Sequence, residues 1–124
     1  DTDSPCVQKD DMQKIYPAYR EADVVCHASP LYYWNISGQL KCAFDRLFAV
    51  AECNENLANP IKDCVLLMAA EGHGFEETAY WYDRLMEHLG WTDKGKVLCG
   101  GVFNVGDIEG HEKLQEAYRL GNSL

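Results

Sequence analysis

The sequence predicts an α/β domain in which a parallel sheet is covered by helices on both faces. Three nearly continuous apolar runs, at residues 24–28, 64–70 and 96–104, are typical of strands buried on both sides. Segments with helical periodicity lie before, between and after these runs, and this alternation favours parallel strands joined by helices. The length of 124 residues is that of one domain.

Apolar side chains at helical spacing predict four helices. The first helix carries Met12, Ile15, Tyr16 and Tyr19, and the second carries Leu40, Phe44, Leu47, Phe48 and Ala51. The third carries Phe75, Ala79, Tyr82, Met86 and Leu89. The last spans residues 111–120, with Leu114, Ala117 and Tyr118 facing inward. Asp10 or Asp11 is expected to cap the first helix and Ser37 the second, and Gly90 ends the third. Pro17 is expected to kink or break the first helix. Residues 54–60 and 106–110 are predicted to be a polar loop and a turn.

The charge excludes several classes of partner. The formal net charge is -9, and acidic surfaces repel phosphate backbones and anionic lipid headgroups, so neither nucleic acid nor a membrane surface is an expected partner. No apolar stretch approaches the length that crosses a bilayer, and no signal peptide is visible.

The six cysteines are expected to be reduced and to bind no metal. None of them forms a C-x-x-C pair, so the usual zinc spacing is missing. Cys26, Cys64 and Cys99 lie in the apolar runs, where a thiol packs as a small hydrophobic side chain. Reduced core cysteines are typical of a cytoplasmic protein, so we expect a cytoplasmic location and no disulfide.

A first candidate binding segment follows the first strand. It consists of Ser29, Pro30, Leu31, Tyr32, Tyr33, Trp34, Asn35 and Ile36. Ligands of open parallel sheets bind beyond the carboxyl ends of the strands, and consecutive aromatic residues in such a loop suit a flat heteroaromatic ligand. Sealing of the core or a subunit contact explains the same aromatic residues equally well from the sequence.

A second candidate segment follows the second strand and consists of Glu71, Gly72, His73 and Gly74. Glycines allow a ligand to approach the backbone, and amides at the start of a helix favour negative charge. An ordinary turn explains the glycines more simply, because no complete phosphate-binding motif is present. His73 is the histidine best placed for a catalytic role, although an isolated histidine is more often structural or solvated.

The residues around both segments resemble a known family. The pattern consists of Ala22-Asp23-Val24-Val25, Ala28-Ser29-Pro30-Leu31-Tyr32-Tyr33, Asn35-Ile36-Ser37-Gly38-Gln39-Leu40-Lys41, Phe44-Asp45-Arg46 and Glu71-Gly72-His73-Gly74-Phe75-Glu76-Glu77-Thr78. It is similar to the flavodoxin-like NAD(P)H-dependent oxidoreductases, which include the NADPH-dependent FMN reductases and the iron-sulfur flavoproteins. The resemblance implies that both candidate segments contact the ring of FMN, and that His73 meets the ring or the substrate.

The resemblance also implies which part of the fold is present. The three strands correspond to the third, fourth and fifth of a five-stranded flavodoxin-like sheet, so residues 1–124 are expected to be one domain that lacks its N-terminal phosphate-binding part. Val24 to Ala28 would then form an edge strand. Cys6 resembles the last cysteine of an iron-sulfur cluster motif whose earlier cysteines are absent from this sequence.

The implied function is that of an FMN-dependent oxidoreductase. It would pass electrons from NAD(P)H through the flavin to a quinone, another flavin or a protein, as a homodimer or larger homo-oligomer. Two alternatives remain open at this point. The chain could be a flavin-binding electron-transfer module without nicotinamide activity, or a truncated chain that binds no flavin.

Overall fold

The computed structural model describes residues 5–53 and 59–124. Within them the chain alternates between helices and strands in the predicted order. The elements are α1 (Met12–Glu21), β1 (Val24–Pro30), α2 (Gly38–Arg46), α3 (Phe48–Glu52), β2 (Asp63–Ala69), α4 (Glu76–Leu89), β3 (Thr92–Cys99) and α5 (Glu112–Gly121). Of the polar loop predicted at residues 54–60, residues 54–58 lie outside the described part of the chain.

The strands form a parallel sheet in the order β1-β2-β3, as the sequence predicts. His27 pairs with Leu66, and Leu66 pairs with Lys96. Among the described residues β1 therefore forms one edge of the sheet. Because the strands are parallel and nearly in register, their carboxyl ends lie side by side.

One face of the sheet carries the hydrophobic core. His27, Cys64 and Leu66 lie on this face and are at most 1% exposed. Side chains of α1, α3 and α4 pack over them, including Tyr16, Val50, Tyr82 and Met86, in one buried cluster. Burial of these large side chains is the main stabilising contribution in a domain of this size.

The opposite face is covered by α5 only near β3. Leu120 of α5 approaches Gly95, and Val65 beneath is buried. On the β1 side, Cys26, Ala28 and Pro30 are exposed. The prediction that residues 24–28 are buried on both sides, and that Cys26 is a core residue, is therefore wrong for this chain, because no described element lies over that part of the sheet.

Two helix predictions differ from the structure. Helix α1 continues through Pro17 without a break, because Tyr16 and Tyr19 are both buried in the core and their burial offsets the missing backbone hydrogen bond. The second predicted helix divides at Leu47 into α2 and α3, and this places Phe48 outward with 63% exposure. The predicted Ser37 cap is confirmed, since its side chain accepts a hydrogen bond from the Leu40 N–H.

The C-terminal part shows two further differences. Strand β3 ends at Cys99 rather than at residue 104, and the residues after it form a loop. No residue of α5 is buried, and its predicted core residues Leu114 and Tyr118 are 46% and 68% exposed. The periodicity identified the helix correctly, but the surface that its apolar stripe would cover is not supplied by the described residues.

Candidate functional site

Three loops meet at the carboxyl edge of the sheet. They are residues 31–37 after β1, residues 70–75 after β2 and residues 100–111 after β3. This edge is the usual ligand position in open parallel sheets. Both predicted segments lie here, and the loop after β3 is a third component that the sequence analysis did not identify.

The aromatic segment forms a tight two-residue turn. Tyr32 and Asn35 exchange both backbone hydrogen bonds, at N···O distances of 3.0 and 3.1 Å. The central residues Tyr33 and Trp34 have φ angles of 46° and 61°. Positive φ at both central positions is the arrangement of a type I′ turn, which normally contains asparagine, aspartate or glycine.

This turn stores strain and presents aromatic rings to solvent. A left-handed conformation costs roughly 1–2 kcal/mol for a residue that carries a Cβ. Tyr33 is 94% exposed, and Tyr32 and Trp34 are 60% and 58% exposed. Strained backbone concentrates at functional sites, and large exposed rings there favour a stacking or edge contact with a planar ligand.

Three of the predicted site residues hold the loop in place. Ser29 lies at the end of β1, where its hydroxyl accepts the Ser37 N–H at 2.8 Å and donates to the Pro30 carbonyl at 2.8 Å. Ile36 is 4% exposed and belongs to the core cluster. Asn35 accepts the N–H of Ile36 through its side chain at 2.8 Å. Of the residues that follow β1 in this segment, 31–36, the turn residues 32–34 are thus the exposed ones.

Residues 71–74 lie beside this turn and leave their amides unpaired. Within the described residues, no N–H of Glu71, Gly72, His73 or Gly74 donates a hydrogen bond. A Cβ added at Gly74 would lie 3.6 Å from the Trp34 Nε1 atom, so the second loop contacts the aromatic turn. Helix α4 begins directly afterwards, with Glu76 and Glu77 in its first turn. Unpaired amides near the start of a helix suit carbonyl or negatively charged groups of a ligand.

The loop after β3 closes against residues 71–74. Gly101 N donates to the Glu71 carbonyl at 2.9 Å, and Val102 N donates to the Ala70 carbonyl at 3.0 Å. A Cβ at Gly100 would lie 2.2 Å from the His73 Nδ1 atom and 2.5 Å from the Gly72 carbonyl oxygen. Only glycine fits at residue 100, and the exposed His73 side chain lies directly over it.

The same loop then presents a second apolar surface. Asp107 accepts the backbone N–H groups of Phe103 and Asn104 at 2.9 and 2.6 Å, and these bonds lower the pKa of its carboxyl group. The turn so formed leaves Phe103 73% exposed and Val105 fully exposed. The Gly100-Gly101 pair within the third apolar run is a sequence signal that could have indicated this loop.

Metal sites, membrane-spanning helices and disulfides were searched for in the described residues. Across residues 5–53 and 59–124, no group of three His, Cys, Asp or Glu side chains is arranged to hold a metal ion. The same ranges contain no helix whose length and hydropathy suit a bilayer crossing. No disulfide joins the six cysteines, all of which are described, and among the three placed in the core by the sequence, Cys64 and Cys99 are buried.

Comparisons with known proteins identify relatives of this chain. Residues 1–106 match the family of NADPH-dependent FMN reductases. An iron-sulfur flavoprotein of Archaeoglobus fulgidus is 31% identical over 119 residues, which are 96% of this chain and 52% of that protein. An iron-sulfur flavoprotein of Methanosarcina thermophila is 36% identical over 73 residues, 59% of this chain and 38% of that protein.

A solved structure shows the same fold. The Trp repressor binding protein of Bacillus subtilis superposes with a TM-score of 0.70 at 20% sequence identity, covering 90% of this chain and 70% of that one. The parallel sheet, its helices and this likeness define a flavodoxin-like α/β protein. The chain belongs to the NADPH-dependent FMN reductase family, a class of FMN-dependent oxidoreductases. It spans about half the length of the Archaeoglobus relative that it matches.

Proposed function

We propose that this chain supplies the ring-binding side of an FMN site in an oxidoreductase that carries electrons from NAD(P)H to a quinone, a flavin or a protein. The bound flavin supplies the hydride and electron chemistry, and the protein orients the ring and tunes its environment. Membership of the family supports FMN as the cofactor. The use of NAD(P)H and the class of electron acceptor are further parts of the proposal.

The described residues fit an isoalloxazine ring. The rings of Tyr33 and Trp34 provide an exposed aromatic surface, and the unpaired amides of residues 71–74 lie next to it. An isoalloxazine has one apolar edge and one edge of carbonyl and ring nitrogen acceptors. Aromatic contact with the first and amide donation to the second would orient it, and the amides would also stabilise negative charge on the pyrimidine side.

The strained aromatic turn is the observation that carries the proposal. A fold that only sealed its core would not need to hold Tyr33 and Trp34 at positive φ while leaving them more than half exposed. The turn also contacts the glycine loop that follows β2, so two independent segments meet at one place. His73 lies at the junction with the loop after β3, and we propose that it contacts the ring or the electron donor.

Replacement of the tryptophan tests the proposal. In a protein that contains this chain and binds FMN, Trp34→Ala should weaken FMN binding by about 1–3 kcal/mol, the value of one large ring contact. Quenching of flavin fluorescence on titration measures the dissociation constant. Tyr118→Ala is the matched control, because Tyr118 is an aromatic residue of α5 with 68% exposure and lies outside the three loops.

Three results would separate the possible functions. Equal dissociation constants for Trp34→Ala and Tyr118→Ala would remove the ring contact from the proposal. FMN binding without any oxidation of NADH or NADPH in the presence of a quinone would indicate an electron-transfer module instead of a reductase. Absence of flavin binding by the unmodified protein would overturn the proposed function itself.

Self-association and a cytoplasmic location are further parts of the proposal. An edge strand with exposed Cys26, Ala28 and Pro30 on one face is a surface that proteins normally cover. A homo-oligomer would cover it, and sedimentation velocity at several protein concentrations tests this directly. A single monomeric species at all concentrations would contradict it.

A further inference from the structure

Thr78 connects the aromatic turn to helix α4. Its side chain is completely buried, and its Oγ1 atom donates a hydrogen bond to the Trp34 carbonyl oxygen at 2.6 Å. The two residues are 44 positions apart in the sequence. A buried hydroxyl needs a hydrogen-bond partner, and here the partner is the backbone of the strained turn itself.

The bond acts at the position where the turn most needs a constraint. Trp34 has the larger positive φ of the two central residues, 61°. A turn of this type persists without glycine only when the surrounding structure holds it. The turn's own two backbone bonds close it, and the Thr78 bond fixes the orientation of the peptide group between Trp34 and Asn35 relative to α4.

We propose that Thr78 is a positioning residue for the flavin site, holding the strained turn so that the rings of Tyr33 and Trp34 are preorganised for the ligand. This inference rests on the proposed function, because FMN is the ligand for which the turn is held. The hydrogen bond itself lies within this chain and does not depend on the ligand. Thr78 contacts no ligand in this proposal; it acts through the Trp34 carbonyl. Preorganisation of this kind improves affinity because the loop does not have to be ordered during binding.

The first test needs no flavin. In Thr78→Val, which keeps the shape and removes the donor, hydrogen exchange of the Tyr32 and Asn35 amides should become about tenfold faster, since each tenfold corresponds to 1.4 kcal/mol. Exchange of the Leu66 amide, in the buried central strand β2, is the internal reference for global stability. Thr78→Ser should restore slow exchange, and Thr92→Val, at an exposed threonine of β3, should leave it unchanged.

The second test measures FMN binding with the same variants. Thr78→Val should raise the dissociation constant about tenfold, and Thr78→Ser should restore it to within about threefold. In a Trp34→Gly background, where a φ of 61° carries no penalty, the effect of Thr78→Val on exchange of the Tyr32 and Asn35 amides should shrink to less than about threefold.

The outcomes distinguish the two proposals. Unchanged exchange of the Tyr32 and Asn35 amides in Thr78→Val, relative to the Leu66 amide, would overturn the positioning role whatever the ligand. Faster exchange in a protein that binds no FMN would support the positioning of the turn and overturn the flavin function. An equal effect of Thr78→Val on amide exchange with and without Trp34→Gly would also contradict the inference.

Discussion

Gly100→Ala tests how the loops after β2 and β3 are joined. The added Cβ would lie 2.2 Å from the His73 Nδ1 atom and 2.5 Å from the Gly72 carbonyl oxygen. The exposed His73 ring can rotate away at small cost, but the Gly72 carbonyl is backbone and cannot move without displacing residues 71–74. The contact with the Gly72 carbonyl oxygen therefore determines how much stability Gly100→Ala costs.

Overpacking of this kind costs about 1–3 kcal/mol. For a chain of this size each kcal/mol lowers Tm by roughly 4 °C, so Gly100→Ala should melt about 4–12 °C lower. Differential scanning calorimetry measures the shift. The same displacement moves the unpaired amides of residues 71–74, so FMN affinity should fall as well.

Gly72→Ala is the matched control for this prediction. It lies in the neighbouring loop, and a Cβ there would meet nothing within 4 Å. It should melt within about 2 °C of the unmodified protein, since an open site imposes no steric cost. If Gly100→Ala and Gly72→Ala melt at the same temperature, the close packing of the two loops does not hold in solution.

Two further predictions concern buried groups. Burial lowers the pKa of His27 to about 4, whereas an unfolded histidine titrates near 6.5. The unfolded chain therefore binds the additional proton between these values, and the free energy of unfolding should fall by about 3 kcal/mol as the pH drops through this window. Urea unfolding midpoints at several pH values should show this loss of stability. His27→Leu should remove most of the pH dependence, whereas His88→Leu, at an exposed histidine, should leave it unchanged. Alkylation followed by mass spectrometry should label the exposed Cys42 and Cys53 in the native protein, but Cys64 only after denaturation, because it is buried and burial raises its thiol pKa to about 11. Equal labelling rates for Cys42 and Cys64, or fewer than six labelled thiols after denaturation, would contradict this assignment.

The core side of the fold could be predicted because local patterns and tertiary packing agree there. Tyr82 and Met86 are spaced for one helix face, and the structure buries both. Gly90 was expected to end that helix and does so at a φ of 65°. The opposite side could not be predicted, because the exposure of Cys26 and Tyr118 depends on which elements cover the sheet.

The candidate site shows the same division. The position of residues 29–36 and 71–74 after two apolar runs was enough to place both segments at the carboxyl edge of the sheet. The sequence did not separate Ser29 and Ile36, which fix the loop, from Tyr33 and Trp34, which face solvent. It also gave no sign of the Thr78 bond, because a contact across 44 positions has no local signature.

What the sequence by itself determined is the order of strands and helices, the parallel sheet and the two segments at its edge, because these follow from apolar periodicity and chain connectivity. Only the tertiary structure decided that residues 32–35 form a turn with positive φ, that Gly100 packs against His73, and that Thr78 holds Trp34. The physical reason is that each of these features is a balance between a local cost and a distant contact. Local backbone preference disfavours Tyr33 and Trp34 in such a turn. The contact that offsets this cost comes from Thr78 in helix α4, far away in the sequence.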